Sequence, residues 1–128
     1  LPLFKHDKFM KEIYNYEAEG FLSQSKSRYS SPSFSQDKEN GELRVPIDYK
    51  DLNQITEGFN NTFPSVSDEF HKMAGCTVFS KLDLSKGYYQ ISVKKEDREK
   101  SAFTTPKGKY QSNKIPLGLK TLQSISIM

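Results

Sequence analysis

The stretch FLSQSKSRYSSPSFSQ, residues 21–36, restricts what this chain can fold into more than any other. It offers almost nothing to bury, so a stable core running over the whole chain is not expected. Hydrophobic residues make up 34% of the 128 and charged residues 27%, and tryptophan is absent. That is enough for one small domain with a modest core.

Around the serine-rich run, which reads as loop to about Asn40, the elements are legible. KHDKFMKEIYNYEAE (5–19) reads as a helix with Phe9, Met10, Ile13 and Tyr14 as its apolar stripe and Gly20 as its stop. ELRVPID (42–48) alternates like a strand, but Pro46 removes a ladder donor and points to an edge or a broken strand. In SVSDEFHKMAG, Ser65 or Ser67 is placed to cap a helix whose Val66, Phe70, Met73 and Ala74 share a face, with Gly75 as its end. TVFSKLDL (77–84) reads as a strand, with Val78, Leu82 and Leu84 on one side and Phe79, Lys81 and Asp83 on the other. KKEDREK reads as a solvated helical turn with a Glu96–Lys100 pair. SAFTT and KYQSNKI flank Pro106–Lys107–Gly108 as a hairpin. No internal repeat is present, and the fold class is α+β.

Charge and cysteine content narrow the setting. A net charge of +3 and a pI near 8.9 are compatible with an anionic partner without requiring one. The single cysteine, Cys76, cannot form an internal disulfide, which fits a reducing, intracellular compartment. No apolar run reaches the ~18 residues of a membrane span, so no membrane partner is expected. The chain begins with Leu1, which reads as a fragment or as part of a longer reading frame.

Chemistry concentrates at FSKLDLSKGYYQI (79–91). An isolated aspartate at a strand end is ordinarily a turn or capping residue. The neighbours of Asp83 point elsewhere. Leu84–Ser85–Lys86–Gly87 makes a tight turn whose amides can face an anion, and Tyr88 sets a flat ring beside it. A carboxylate for a divalent cation, amides for phosphate and an aromatic plate for a sugar would together make a nucleotide site. His6 and His71 lack partners at metal spacing, and neither Cys76 nor any serine sits in a nucleophile motif. Lys94, Lys95, Arg98, Lys107 and Lys109 read as solvated surface first and as a phosphate-tracking patch second.

These motifs, taken in order, resemble the reverse transcriptase of Gypsy-type LTR retrotransposons. EGFLSQSKSRYSSP resembles the family's entry segment, and NGELRVPIDYKDLNQIT its D-G-x-W-R-x-x-V-D-Y-R-x-L-N-x-I-T block. VFSKLDLSKGYYQI and KEDREKSAFTTPKGKY continue it, and IPLGLK resembles M-P-F-G-L-K. The resemblance implies a right-hand polymerase fold, of which the chain would hold the fingers and the first part of the palm. Residues 1–57 would be the N-terminal part of the fingers and 58–90 the first palm segment. Residues 91–118 would be the second part of the fingers and 119–128 a divergent tail.

Position by position, the resemblance makes Asp83 the first catalytic aspartate, holding two Mg2+ ions, with the Leu84 carbonyl joining the metal shell. Lys86 and Gly87 would meet the triphosphate, Tyr88 would lie under the incoming sugar, and Arg44 would grip the triphosphate. Leu117 would lie near the nucleotide and template base, and Lys50 near the template strand. The implied partners are a dNTP and an RNA or DNA template-primer; the oligomeric state is left open.

The chain also departs from the family pattern. Ser33–Phe34–Ser35–Gln36 replaces an apolar strand, and Asp37–Lys38–Glu39–Asn40 replaces a basic tip. Leu43 stands for a tryptophan, and Ser112 and Asn113 stand for apolar residues, which is expected to weaken the second hairpin. The family's Y-x-D-D carboxylates are not in the sequence, so the chain alone is expected to be inactive. After IPLGLK the family continues N-A-P-A-x-F, whereas this chain reads TLQSISIM. One permitted codon spelling recovers Asn-Ala-Pro when a single base is added after Lys120, so a frameshift would explain the tail. Two readings follow: a truncated reverse transcriptase, or a non-enzymatic remnant that binds nucleic acid weakly.

Overall fold

The computed structural model describes residues 2–57, 64–85 and 87–119. After a 3-10 turn at Leu3–Lys5, helix α1 spans His6–Ala18. Phe9, Met10 and Ile13 are buried along it, as the spacing leads one to expect. Tyr14 is not: it is 49% exposed. The inward face follows i, i+4, i+7 from Phe9 and so continues to Tyr16, which carries Tyr14 to the flank.

The helix ends in a Schellman arrangement. The Phe21 amide donates to the Tyr16 carbonyl at 2.9 Å and the Gly20 amide to the Glu17 carbonyl at 3.0 Å. Gly20 takes φ +81°, which a side chain would resist, so Gly20 is what allows the reversal. Phe21 is delivered back against Tyr16, ring centroids 6.2 Å apart.

Strand β1 (Leu22–Gln24) follows, then β2 (Gln36–Asp37) and β3 (Leu43–Arg44). Next come α2 (Lys50–Ile55), α3 (Val66–Met73), β4 (Phe103–Thr105) and β5 (Gly108–Ser112). β1, β5 and β4 form an antiparallel sheet in that order, with Leu22 opposite Ser112 and Phe103 opposite Tyr110. The expected hairpin is present, turned through Gly108 at φ +117°. α1 packs on this sheet, and Phe9, Met10, Ile13, Leu43, Phe103 and Tyr110 make the core.

The serine-rich run is not merely loop. β1 lies inside it, Ser31 bridges Phe103 in parallel, and Ser33 bridges Ile47. Its hydroxyls satisfy backbone carbonyls across the molecule: Ser27 donates to Glu99 at 2.6 Å and Ser33 to Thr104 at 2.6 Å. Such a strand is held by polar groups rather than by buried area, which apolar periodicity does not register. β2 and β3 pair with Gln36 opposite Arg44, and regular pairing stops before Pro46, as expected of that proline. Ser112 and Asn113 do not leave the sheet unsatisfied. The Ser112 amide donates to the Ser101 hydroxyl at 2.9 Å, and Asn113 bonds Ser23 and the Gly20 carbonyl.

Two expectations are overturned. TVFSKLDL has no ladder partner among the described residues and runs as exposed chain, with Val78 86% and Leu82 93% exposed. Alternation decides which side chains share a face, but a strand also needs a free neighbouring edge. The ion pair at 94–100 is Asp97–Lys100 at 2.8 Å, not Glu96–Lys100, because Arg98–Ser101 winds as a 3-10 turn that brings i and i+3 together. α3 forms after Ser65 and is followed by Gly75 at φ +81°, but its apolar residues face outward: Val66 is 70% and Phe70 65% exposed. No helix among the described residues is long and apolar enough to cross a membrane.

Candidate functional site

The end of α1, the end of β3, a 3-10 turn at Gly87–Gln90 and the turn at Leu117–Gly118 enclose a pocket of about 260 Å³. Tyr16, Phe21 and Tyr89 form an aromatic wall in which Phe21 and Tyr89 stack at 4.7 Å and 12°. Arg44 brings a guanidinium to the pocket from its exposed position on β3. Val45, Pro46 and Ile47 line the floor, and Leu117 lies in the opposite turn.

Electrostatics there follow burial. Removal from water pushes the Tyr89 phenol up to about 12, Tyr16 adds to the rise, and the positive charge of Arg44 opposes it. An apolar, aromatic enclosure with one cation at its edge suits a flat ligand bearing negative charge.

A second, more open depression of about 540 Å³ lies alongside and shares Ile47 and Gly118 with the first. Lys50 and Asn53 line it. Asp48 holds the start of α2 by accepting from the Lys50 amide at 2.9 Å, and Asn53 Nδ2 donates to the Gly118 carbonyl at 2.7 Å. The Leu117–Gly118 turn is thereby tied to α2, and Arg44, Leu117 and Lys50 fall on one side of the molecule.

The remaining sequence candidates stand apart. Asp83 and Leu84 are exposed on the unpaired segment and line neither pocket. Gly87 opens the 3-10 turn, and a Cβ added there would meet Leu84 Cβ at an ordinary 3.5 Å. Tyr88 in that turn is 36% exposed and it is its neighbour Tyr89 that enters the pocket. Lys86 lies outside the described residues, as do 58–63 and 120–128.

Magnesium does not fit the described residues. A pair of ions about 4 Å apart needs several converging carboxylates. Asp83 is on exposed chain, and no group of three His, Cys, Asp or Glu able to hold a metal occurs among the described residues. Two of the basic residues considered for phosphate tracking are engaged in holding the fold. Arg98 Nε donates to the Val93 carbonyl at 2.9 Å, and Lys109 Nζ to the Ser27 carbonyl at 3.0 Å. Lys38, at the altered tip, bonds Glu42 at 3.1 Å, and that bond holds the Glu42 carboxyl below its usual range.

Sequence reasoning named Arg44 and Leu117 but not Tyr16 or Phe21 as parts of this enclosure. The available signal was Glu19–Gly20–Phe21, a helix stop followed at once by an aromatic.

Comparison with known proteins gives these features a context. The family described as "Reverse transcriptase (RNA-dependent DNA polymerase)" matches residues 36–125, a span that includes Arg44, Asp83 and Leu117. The enzymatic polyprotein of Figwort mosaic virus is 32% identical over 121 residues, covering 91% of this chain and 18% of its own length. The retrovirus-related Pol polyprotein from transposon 297 of Drosophila melanogaster is 34% identical over 107 residues, 80% of this chain and 10% of its own. The transposon Tf2-3 polyprotein of Schizosaccharomyces pombe is 33% identical over 121 residues, 94% of this chain and 9% of its own. The chain therefore spans less than a fifth of these relatives. A foamy viral protease-reverse transcriptase solved in complex with double-stranded DNA superposes with TM-score 0.75 at 18% identity, over 98% of this chain and 21% of that one. With its mixed α and β architecture, the chain belongs to the reverse transcriptase (RNA-dependent DNA polymerase) family, related to the Pol polyproteins of retrotransposons and retroviruses.

Proposed function

We propose that the chain is the fingers and first palm segment of a Gypsy-type retrotransposon reverse transcriptase, divided at residues 57, 90 and 118 as its motifs indicate. The intact parent would extend a primer with dNTPs on an RNA or DNA template. In this reading Arg44 takes the triphosphate, Lys86 and Gly87 lie along the phosphates and Tyr88 under the sugar. Leu117 faces the base, Lys50 the template and Asp83 the reacting end. The observation that carries the reading is the convergence of Arg44 and Leu117, distant in sequence, on one pocket walled by Tyr16, Phe21 and Tyr89. A guanidinium offers planar, paired donors to phosphate oxygens, and an adjoining apolar wall suits a base or sugar.

Anisotropy of a labelled primer-template, with and without dNTP, tests this. Arg44→Ala should weaken dNTP-dependent binding about tenfold or more, the cost of losing charge-assisted hydrogen bonds. Binding unchanged in that variant would overturn the assignment.

A second reading is favoured by the exposed, unpaired course of residues 77–84. The chain by itself would then be a non-enzymatic piece that binds nucleic acid weakly and with strong salt dependence. Primer extension in magnesium tests the chain by itself: we expect no product. Product that disappears in Asp83→Asn would restore the enzymatic reading for the chain alone.

A further inference from the structure

Two elements distant in sequence meet at Gly118. Its carbonyl accepts from Asn53 Nδ2 at 2.7 Å, across 65 positions of chain. Leu117, one residue before, lines the aromatic pocket with Arg44, whereas Asn53 lines the neighbouring depression with Lys50. Gly118 belongs to both. We propose that Asn53 is a positioning residue: by holding the Gly118 carbonyl it sets Leu117 in the pocket, and so couples a nucleic-acid strand bound over Lys50 to a nucleotide bound beside Arg44. The coupling rests on the assignment of Arg44 and Leu117 to the nucleotide and of Lys50 to the template.

Both ends of the link are anchored. Tyr49, 2% exposed, donates its hydroxyl to the Ser101 carbonyl at 2.8 Å, and its own carbonyl accepts from the Asn53 amide at 2.7 Å. Asp48 accepts from the Lys50 amide at 2.9 Å, which fixes the first turn of α2. Lys50 and Asn53 are three apart on that helix and share a face. A displacement at Lys50 is therefore passed along a fixed helical turn to Asn53 rather than absorbed by loop. On the other side, the Ile115 amide donates to the Ile91 carbonyl at 2.9 Å, after which Pro116 has no N–H to offer. Gly118 then takes φ +92°, a region where glycine moves freely. The bond from Asn53 removes that freedom one residue from Leu117. The turn also rests on the residues that lead into α2: a Cβ built on Gly118 would lie 3.8 Å from the Ile47 carbonyl oxygen and 3.9 Å from the Tyr49 ring.

Anisotropy of a labelled primer-template, titrated with and without dNTP, reads the coupling as the ratio of the two dissociation constants. Asn53→Leu has nearly the same size, no donor and no charge. It should reduce the dNTP-induced tightening at least about fivefold, with affinity in the absence of dNTP little changed. Asn53→Gln keeps the amide donor and should retain most of the tightening. Thermal melts of both variants should match the parent, because neither residue is a poorer helix former than asparagine. A merely structural role would weaken binding equally with and without dNTP. That result, an undiminished ratio in Asn53→Leu, or a lost ratio in Asn53→Gln would each overturn the proposal. If Arg44→Ala abolishes the tightening while Asn53→Leu preserves it, the nucleotide assignment stands and the coupling alone falls. A parent chain whose affinity is unchanged by dNTP would overturn both.

Discussion

Tyr49 carries its hydroxyl to a place only 2% exposed, where it donates to the Ser101 carbonyl at 2.8 Å. Burial, partly offset by the Ser112 hydroxyl, pushes its phenol from 10.0 up to about 12. Tyr89 is raised to about 12 as well. A raised pKa means that the folded chain holds these protons more tightly than the unfolded one. The stability they confer is complete below about pH 10 and is lost as pH rises towards 12. For Tyr49 this amounts to roughly 2–3 kcal/mol. Denaturant melts taken from neutral into alkaline pH should therefore weaken through that window, and Tyr49→Phe should flatten the fall. At neutral pH the same substitution strands a buried carbonyl and should cost about 1–2 kcal/mol. Ser101→Ala belongs with it. The Ser101 hydroxyl accepts from the Ser112 amide and donates to the Arg98 carbonyl at 2.6 Å, so its loss should cost ~1–3 kcal/mol in the same melts. None of these roles is visible in sequence, because each depends on a carbonyl or amide from a distant element. Arg44 and Leu117, which line the pocket, could be singled out from sequence because both stand inside a local motif of many residues.

At the scale of elements, α1 and α3 are both amphipathic and yet differ in what they do. α1 buries Phe9 and Ile13 to 0% and 1% exposure against Leu43, Phe103 and Tyr110. α3 turns Val66 and Phe70 to solvent. Ile13→Ala should therefore cost about 2–5 kcal/mol, seen as a lower denaturation midpoint. Phe70→Ala should change stability by no more than about 0.5 kcal/mol. Helical spacing and terminators identified both helices, because each is a property of neighbouring residues. Which helix finds a surface to cover is not such a property. The same limit explains the two misread extended segments. The serine-rich run gained pairing through Ser31 and Ser33, whereas the better-patterned 77–84 found no edge.

Over the whole molecule, order is unevenly shared. The α1 face, the β1–β5–β4 sheet and the β2–β3 pair interlock, while residues 74–85 are exposed throughout. Brief trypsin treatment should cut first after the exposed Lys81. The two pieces should still elute together, because β1 on one is hydrogen-bonded to β5 on the other. Separation of the pieces in native size exclusion would show that the sheet does not hold across the cut. By itself, the sequence determined the mixed class, α1 and α3 with their stops, the β4–β5 hairpin, the interruption at Pro46 and the family motifs, but not α2. All of these rest on side-chain periodicity, backbone preference or residues close together in the chain. Only the tertiary structure decided that serines would carry a strand, that Tyr16, Phe21 and Tyr89 would wall the pocket beside Arg44, and that the Asp83 segment would stand unpaired. Those outcomes depend on which hydrogen-bonding edge and which apolar surface come within reach after collapse, and that reach is set by the packing of distant elements.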